Sequence, residues 1–362
     1  MKMEPTVIKG RGATLSPVAR FARHEKESVD DGWSGDVKDE TTAREYPQTW
    51  LAPEAARSIV TRNESPDIPF DRSINPYRGC EHGCVYCFAR PSHSYVDLSP
   101  GIDFETRIFY KENAAALLEQ TLRKPGYRCR PIAMGTNTDP YQGAERTLGI
   151  TRELLQVMQR YRHPVTIVTK GALIERDIDI LSELAKDRLA SVMLSVTTLD
   201  NDLKRRLEPR TPSGKARLNT VRALIDAGIP TGVMVAPVIP AINDHEIEAI
   251  LHAAHAVGVR RAAYILVRLP HEVKDLFRDW LAQHYPERAG HVMSLIRQSR
   301  GGKDNDPRFG HRMRGDGVFA SMIKRRFDKT CRELGLHARE SAGLDTTQFA
   351  LPEEVGDQLS LL

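Results

Sequence analysis

The constraint that most narrows the fold is an alternation that starts near Pro69. Six short apolar runs, at 70–75, 131–135, 165–169, 191–196, 232–236 and 262–267, are each followed by a helical pattern of apolar residues. Those patterns lie at 112–122, 147–161, 178–186, 215–227, 244–257 and 272–284. A helix between two strands returns the chain to the end where the first strand began, so successive strands re-enter the sheet parallel. The fold class is therefore α/β, with a parallel sheet and crossover helices. Gly228 and Gly258 stand where a helix-terminating glycine belongs, and Asn243 with Glu246 reads as a capping box.

Three of the five cysteines, Cys80, Cys84 and Cys87, fall within the string NPYRGCEHGCVYCFAR, and no fourth lies nearby. Four thiolates would close every iron of a cubane, whereas three leave one iron open to an outside ligand. The same residues also suit a structural Cys3His zinc site with His82 or His93 as fourth ligand, the core of a non-catalytic nucleic-acid-binding module. A disulfide framework fits poorly: the count is odd and sparse, and the N-terminus MKMEPTVIKG has no apolar stretch of the secretory kind. Cys129 and Cys331 stand alone and read as packed thiols.

The cysteine spacing, with Tyr86 before the last cysteine, resembles the signature of radical S-adenosylmethionine enzymes, and GTNTDPYQ resembles the subgroup related to spore photoproduct lyase. The resemblance spans roughly residues 63–285. It implies a partial (βα)6 barrel of TIM type with the chemistry at the C-terminal ends of the strands. It implies a 4Fe-4S cluster on Cys80, Cys84 and Cys87, whose free iron chelates S-adenosylmethionine. One electron, from a donor such as flavodoxin or ferredoxin, then cleaves that cofactor to a 5'-deoxyadenosyl radical that takes hydrogen from substrate.

The same resemblance assigns cofactor contacts. Thr136 and Thr138 stand where many members carry a Gly-Gly-Glu motif, which this chain lacks; without the resemblance the segment reads as a turn built on Asp139 and Pro140. Lys170, ending the third run, offers a point charge, and Arg210 a bidentate fork, for the cofactor carboxylate; either also reads as a surface charge. Ser195 and Thr197 share a strand face. Backbone groups flanking Val238 and Ile239 would contact adenine. Tyr86 and Phe88, on either side of Cys87, line the cofactor or pack beneath the loop. The hydrogen-donating cysteine of the lyase corresponds to Asn137 here, so dimer reversal by that route is not expected.

Outside the core, residues 1–62 read as an extended arm with a short helix at 53–60 and with Trp33, Tyr46 and Trp50 as surface anchors. Residues 286–340 form a basic extension: from Arg288 to Glu340 there are 13 basic and 6 acidic residues. That excess reads as a solvated helix face or as a nucleic-acid contact, with Arg325 and Arg326 meeting phosphates; a peptide or small metabolite is the alternative substrate. Residues 341–362 are acidic and end in QLSLL, which resembles the bacterial sliding-clamp-binding peptide through Gln358, Leu359, Leu361 and Leu362. No apolar run approaches the roughly 18 residues of a membrane span, and a cytoplasmic location is expected.

Overall fold

The computed structural model describes residues 8–22, 48–336 and 343–352. Its strands are β1 (Trp50–Pro53), β2 (Val60–Arg62), β3 (Arg72–Ile74), β4 (Tyr77–Arg78), β5 (Arg107–Tyr110), β6 (Ile132–Met134), β7 (Val165–Thr169), β8 (Ala190–Ser195), β9 (Thr231–Val238) and β10 (Ala262–Leu266). β3 and β6 to β10 lie side by side in chain order, each pair parallel, and β2 adds antiparallel to the outer edge of β3. β1, β5 and β4 form a separate three-stranded sheet. All six expected strands are present, with every end within two residues of its expected place, and the parallel α/β class holds.

Helices cover the sheet with apolar faces, as the residue spacing requires. Helix Ile150–Arg160 buries Ile150, Leu154, Leu155, Val157 and Met158, and helix Ile178–Lys186 buries Ile180, Leu181 and Leu184. Each such Leu or Ile adds roughly 1.5–3 kcal/mol by leaving water. The helix expected at 147–161 is broken at Gly149, whose φ of 68° ends one short helix and starts the next. Gly228 and Gly258 follow their helices with φ of 77° and 98°. Gly135, at the end of β6, has φ of 84°, and a Cβ there would overlap the Val168 carbonyl oxygen of the next strand.

The sheet curls but does not close, since β2 and β10 do not pair. Its two sides meet through loops instead. Cys84, Val85 and Tyr86, from the loop after β4, share an apolar cluster with Ile239 after β9, Val267 and Leu269 after β10, and Phe277 and Trp280. Asp67, between β2 and β3, accepts from the Gly310 amide and pairs with Arg312.

Three local expectations are corrected. The 53–60 helix is absent: β1 pairs with β5 and β2 with β3, and the extended chain between them lets Ala52 and Ile59 both reach buried positions. The capping box does not form. Asn243 instead donates to the Thr197 and Pro237 carbonyls and accepts from the Ile239 amide, while Glu246 accepts from Thr198 and the Leu199 amide. Tertiary partners outcompete the local cap. Trp50 lies half-exposed on β1, edge-on to Phe109, rather than buried as an anchor; Trp33 and Tyr46 lie outside the described residues.

In the C-terminal extension, helix Gly317–Glu333 packs on helix Ile247–Ala256. Residues 343–352 of the acidic tail dock beside the loops that precede β7 and β8. There Phe349 packs on Tyr127, Tyr161 and His163, and Gln348 donates to the Asp187 carbonyl.

Gly135→Ala is expected to destabilise the protein by about 2–5 kcal/mol, because positive φ and overlap with the β7 backbone act together. Urea denaturation of the two proteins measures it.

Candidate functional site

The cysteine loop leaves β4 at the C-terminal end of the parallel sheet and is fixed from both sides. Gln142, buried in the segment after β6, donates to the Gly79 carbonyl at 3.1 Å and accepts from the Glu81 amide at 2.9 Å, bracketing Cys80. Arg90, fully buried, donates to the Cys84 carbonyl at 2.9 Å and to the carbonyls of Pro100 and Gly101. Its guanidinium also pairs with the buried carboxylate of Glu105. Glu105 in turn accepts from the amides of Gly12 and Ala13 at 3.0 and 2.8 Å. Gly83, with φ of 66°, leaves room for that carboxylate, and Gly12 lies so close that a Cβ would overlap the Gly83 carbonyl oxygen. Residues 11–16 of the N-terminal arm are thus packed against the loop.

Beneath the loop the Tyr86 hydroxyl donates to Glu208. The same carboxylate accepts from Thr197 at 2.6 Å and pairs with buried Arg217, which also donates to the Ser195 carbonyl at 2.9 Å. Burial alone would raise the Glu208 carboxyl, yet Arg217 and then Lys170 hold it down to about 2. Burial, and then the Glu208 charge, pushes the Cys84 thiol up to about 12; burial and then Asp139 push Cys80 well above the ordinary thiol value. Desolvation would lower the Lys170 ammonium, but its neighbours Cys84 and Glu208 hold it above the ordinary lysine value. Its ammonium sits 5.9 Å from the centre of the Tyr86 ring and makes no hydrogen bond among the described residues.

The other sequence candidates are placed as follows. Thr136 shares a hydrogen bond with Asn75, and Thr138 donates to the Tyr77 carbonyl at 2.9 Å. Asp139 organises their loop, accepting from Thr169 at 2.6 Å and from the Lys170 amide at 2.7 Å, with His82 at 3.3 Å. Although burial opposes it, His82 and these hydrogen bonds hold its carboxyl far below the usual range. Arg210 reaches Thr49 at 3.2 Å and Glu81 at 3.5 Å. The Val238 carbonyl accepts from the Val267 amide, and the Ile239 amide donates to Asn243, so these backbone groups are engaged within the protein. Phe88 points outward under Arg268. The structure therefore gathers Cys84, Tyr86, Lys170 and, through Arg217, Ser195 around Glu208.

Both histidines of the zinc reading are engaged elsewhere: His82 faces Asp139, and His93 Nε2 lies 2.9 Å from the Arg107 carbonyl oxygen. Burial holds His93 down to about 4. Among the described residues no three His, Cys, Asp or Glu side chains converge on a point fit for a single ion. A cubane spreads three thiolates over three irons, and three neighbouring thiols, two buried and one half-buried, with no fourth fit that donor set. Cys331 packs in the main core, and Cys129 precedes β6, at the opposite end of the sheet.

The family model of the Radical SAM superfamily matches residues 74–254, half of the chain, from β3 to helix Ile247–Ala256. The chain belongs to the radical SAM superfamily. This radical SAM enzyme is 38% identical over 233 residues to an uncharacterized protein of Mycobacterium tuberculosis, across 64% of this chain and 68% of the relative. It is 26% identical over 217 residues to an uncharacterized protein of Methanocaldococcus jannaschii, across 59% of this chain and 76% of that one. In fold it is similar to spore photoproduct lyase complexed with dinucleoside spore photoproduct, with a TM-score of 0.57, 14% identity, and 80% and 81% of the two chains covered. No helix among the described residues is long and apolar enough to cross a membrane.

Sequence reasoning missed Glu105, Arg90, Gln142, Glu208 and Arg217. Glu208 stands two residues before Arg210 and Arg217 seven after it, but charged residues of this kind look solvated until a fold buries them.

Removing one partner of a buried ion pair leaves a bare charge, so Arg217→Ala should cost about 3–5 kcal/mol in chemical denaturation. The stability that Glu208 gives is present above its ordinary value of 4.5 and is lost as pH falls toward about 2. Over that window the variant's stability should fall less steeply than the native protein's. Gly12→Val should displace the arm from Gly83 and lower iron retained per chain after desalting, measured by colorimetric iron assay, while native chain retains it.

Proposed function

We propose that Cys80, Cys84 and Cys87 hold a 4Fe-4S cluster with one iron free, and that S-adenosylmethionine binds beside it with its carboxylate toward Lys170. The observation that carries this reading is the fixed loop itself: two buried thiols and a third half-buried, the loop held by Gln142 and Arg90, next to an ammonium that makes no hydrogen bond among the described residues. Together the bound pair supplies one-electron cleavage of a sulfonium to a 5'-deoxyadenosyl radical, which takes hydrogen from substrate. The protein's part is to hold and shield. Glu208 and Arg217 keep Tyr86 and the Ser195 strand end in place, Lys170 provides charge, and Thr136 and Arg210 stand at neighbouring loops for the remaining cofactor groups. A one-electron donor such as flavodoxin or ferredoxin would serve it.

The substrate class we propose is nucleic acid. Much of the basic extension is neutralised within the protein: Arg326 pairs with Glu248, Lys324 with Asp328, Arg308 with Asp306 and Arg312 with Asp67. Arg288, Lys303, Arg314, Arg325 and Arg332 have no carboxylate within ion-pair distance among the described residues and are left for phosphates. The clamp-type peptide from Gln358 to Leu362 lies outside the described residues; it would bring the enzyme to DNA through its leucine anchors.

Anaerobic reconstitution with iron and sulfide should give about four irons per chain and, with dithionite and S-adenosylmethionine, 5'-deoxyadenosine. Cys84→Ala should lose both the EPR signal and the nucleoside product. Stoichiometric zinc and no cleavage would overturn the reading.

A further inference from the structure

Phe88 directly follows Cys87, yet 45% of it faces solvent. The guanidinium of Arg268, just beyond β10, stacks on its ring at 5.2 Å. Arg268 has no carboxylate hydrogen bond among the described residues. Its Nη1 reaches the Met313 sulfur at 3.7 Å, and its buried Nε has no hydrogen-bond partner among the described residues. Beside it Arg312 lies over the ring of Phe309 at 4.7 Å, and Phe309 is 57% exposed. Burial first, and then Arg312, hold Arg268 below the usual guanidinium range.

Behind these residues Arg300 is fully buried and donates only to main-chain carbonyls, those of Leu266, Val267, His311 and Arg312. The carboxylates that reach this group are already committed: Asp67 to Arg312 and the Gly310 amide, Asp306 to Arg308. Arg268 and Arg300 therefore have no carboxylate within ion-pair distance among the described residues, at a rim where two phenyl rings are open to solvent. Positive charge in excess calls for an anion, and arginines interleaved with exposed rings suit one whose charges alternate with flat π faces. An acidic peptide would use the charge and leave the rings without purpose. A duplex would hide its bases within its own stack.

We propose that this lip, formed by Phe88, Arg268, Arg312 and Phe309, is a subsite for single-stranded nucleic acid, with bases stacking on the two phenyl rings and a phosphate meeting Arg268. It rests on the nucleic-acid reading above and locates that substrate beside the third cysteine. The subsite lies where the curled sheet brings the end of β10 against the cysteine loop, so a base held there stands at the mouth of the barrel.

The test is fluorescence anisotropy of a labelled 20-residue oligothymidylate with the reconstituted full-length enzyme, across a salt series. Phe88→Ala and Phe309→Ala should each weaken binding about 5- to 150-fold with the salt slope unchanged, whereas Phe88→Tyr should bind like the native enzyme. Arg268→Gln should weaken binding and reduce the slope by about 0.7. Circular dichroism and iron content report whether each variant is folded; Phe309→Ala, outside the cysteine loop, decides the matter if Phe88→Ala is not. Native binding unchanged in both phenylalanine variants would overturn the lip while leaving the nucleic-acid reading standing. Equal competition by polyglutamate would assign the lip to acidic peptides and overturn it. No binding of any strand at low salt would overturn the nucleic-acid reading itself.

Discussion

Everything at the mouth of this barrel depends on the buried pair between Glu105 and Arg90. The guanidinium holds the Cys84 carbonyl, and the carboxylate takes the amides of Gly12 and Ala13, so one ion pair fixes the cysteine loop and binds the N-terminal arm to it. Two charges out of water are costly unless every lone pair and proton is used. Here nearly all are: Arg90 spends its remaining donors on the Pro100 and Gly101 carbonyls. A loop fixed this tightly keeps three thiols at set positions.

A second buried pair, Glu208 with Arg217, does for the floor of the site what the first does for the loop. It fastens Tyr86, Thr197 and the end of β8 into one network, and its charge sustains Lys170 as an ammonium. The curl of the open sheet then decides what faces that floor. Because β2 and β10 do not pair, the gap is bridged by side chains: the apolar cluster around Val85, Ile239 and Trp280, and the contact of Asp67 with Arg312. An open barrel of this kind has a lip that a closed one lacks, and the aromatic and cationic groups of Phe88, Arg268 and Phe309 stand on it.

Much of the fold was legible in the sequence because burying a parallel sheet on both faces leaves a plain mark: runs such as 165–169 and 191–196, with a helical period between them. The elements that escaped notice were those whose formation depends on distant partners. β1 and β5 exist because each pairs with the other across some fifty residues, and the Asn243–Glu246 cap is lost because Thr197, Thr198 and Leu199 offer better bonds. In the site, the cysteines and Lys170 were visible from spacing and position. Glu105, Arg90 and Gln142 were not, since nothing in a charged or amide residue announces that it will be buried.

The sequence by itself determined the parallel α/β class and the soft, three-thiol character of the site, because periodicity and ligand chemistry act locally or through connectivity; the family resemblance added the end of the sheet that carries the cysteines. Only the tertiary structure decided which charges are spent and which remain. Arg326, the apparent phosphate contact, is consumed by Glu248, while Arg268 is left on an exposed ring beside Cys87. Charge partners are chosen by proximity in space, and proximity appears only once the chain has folded.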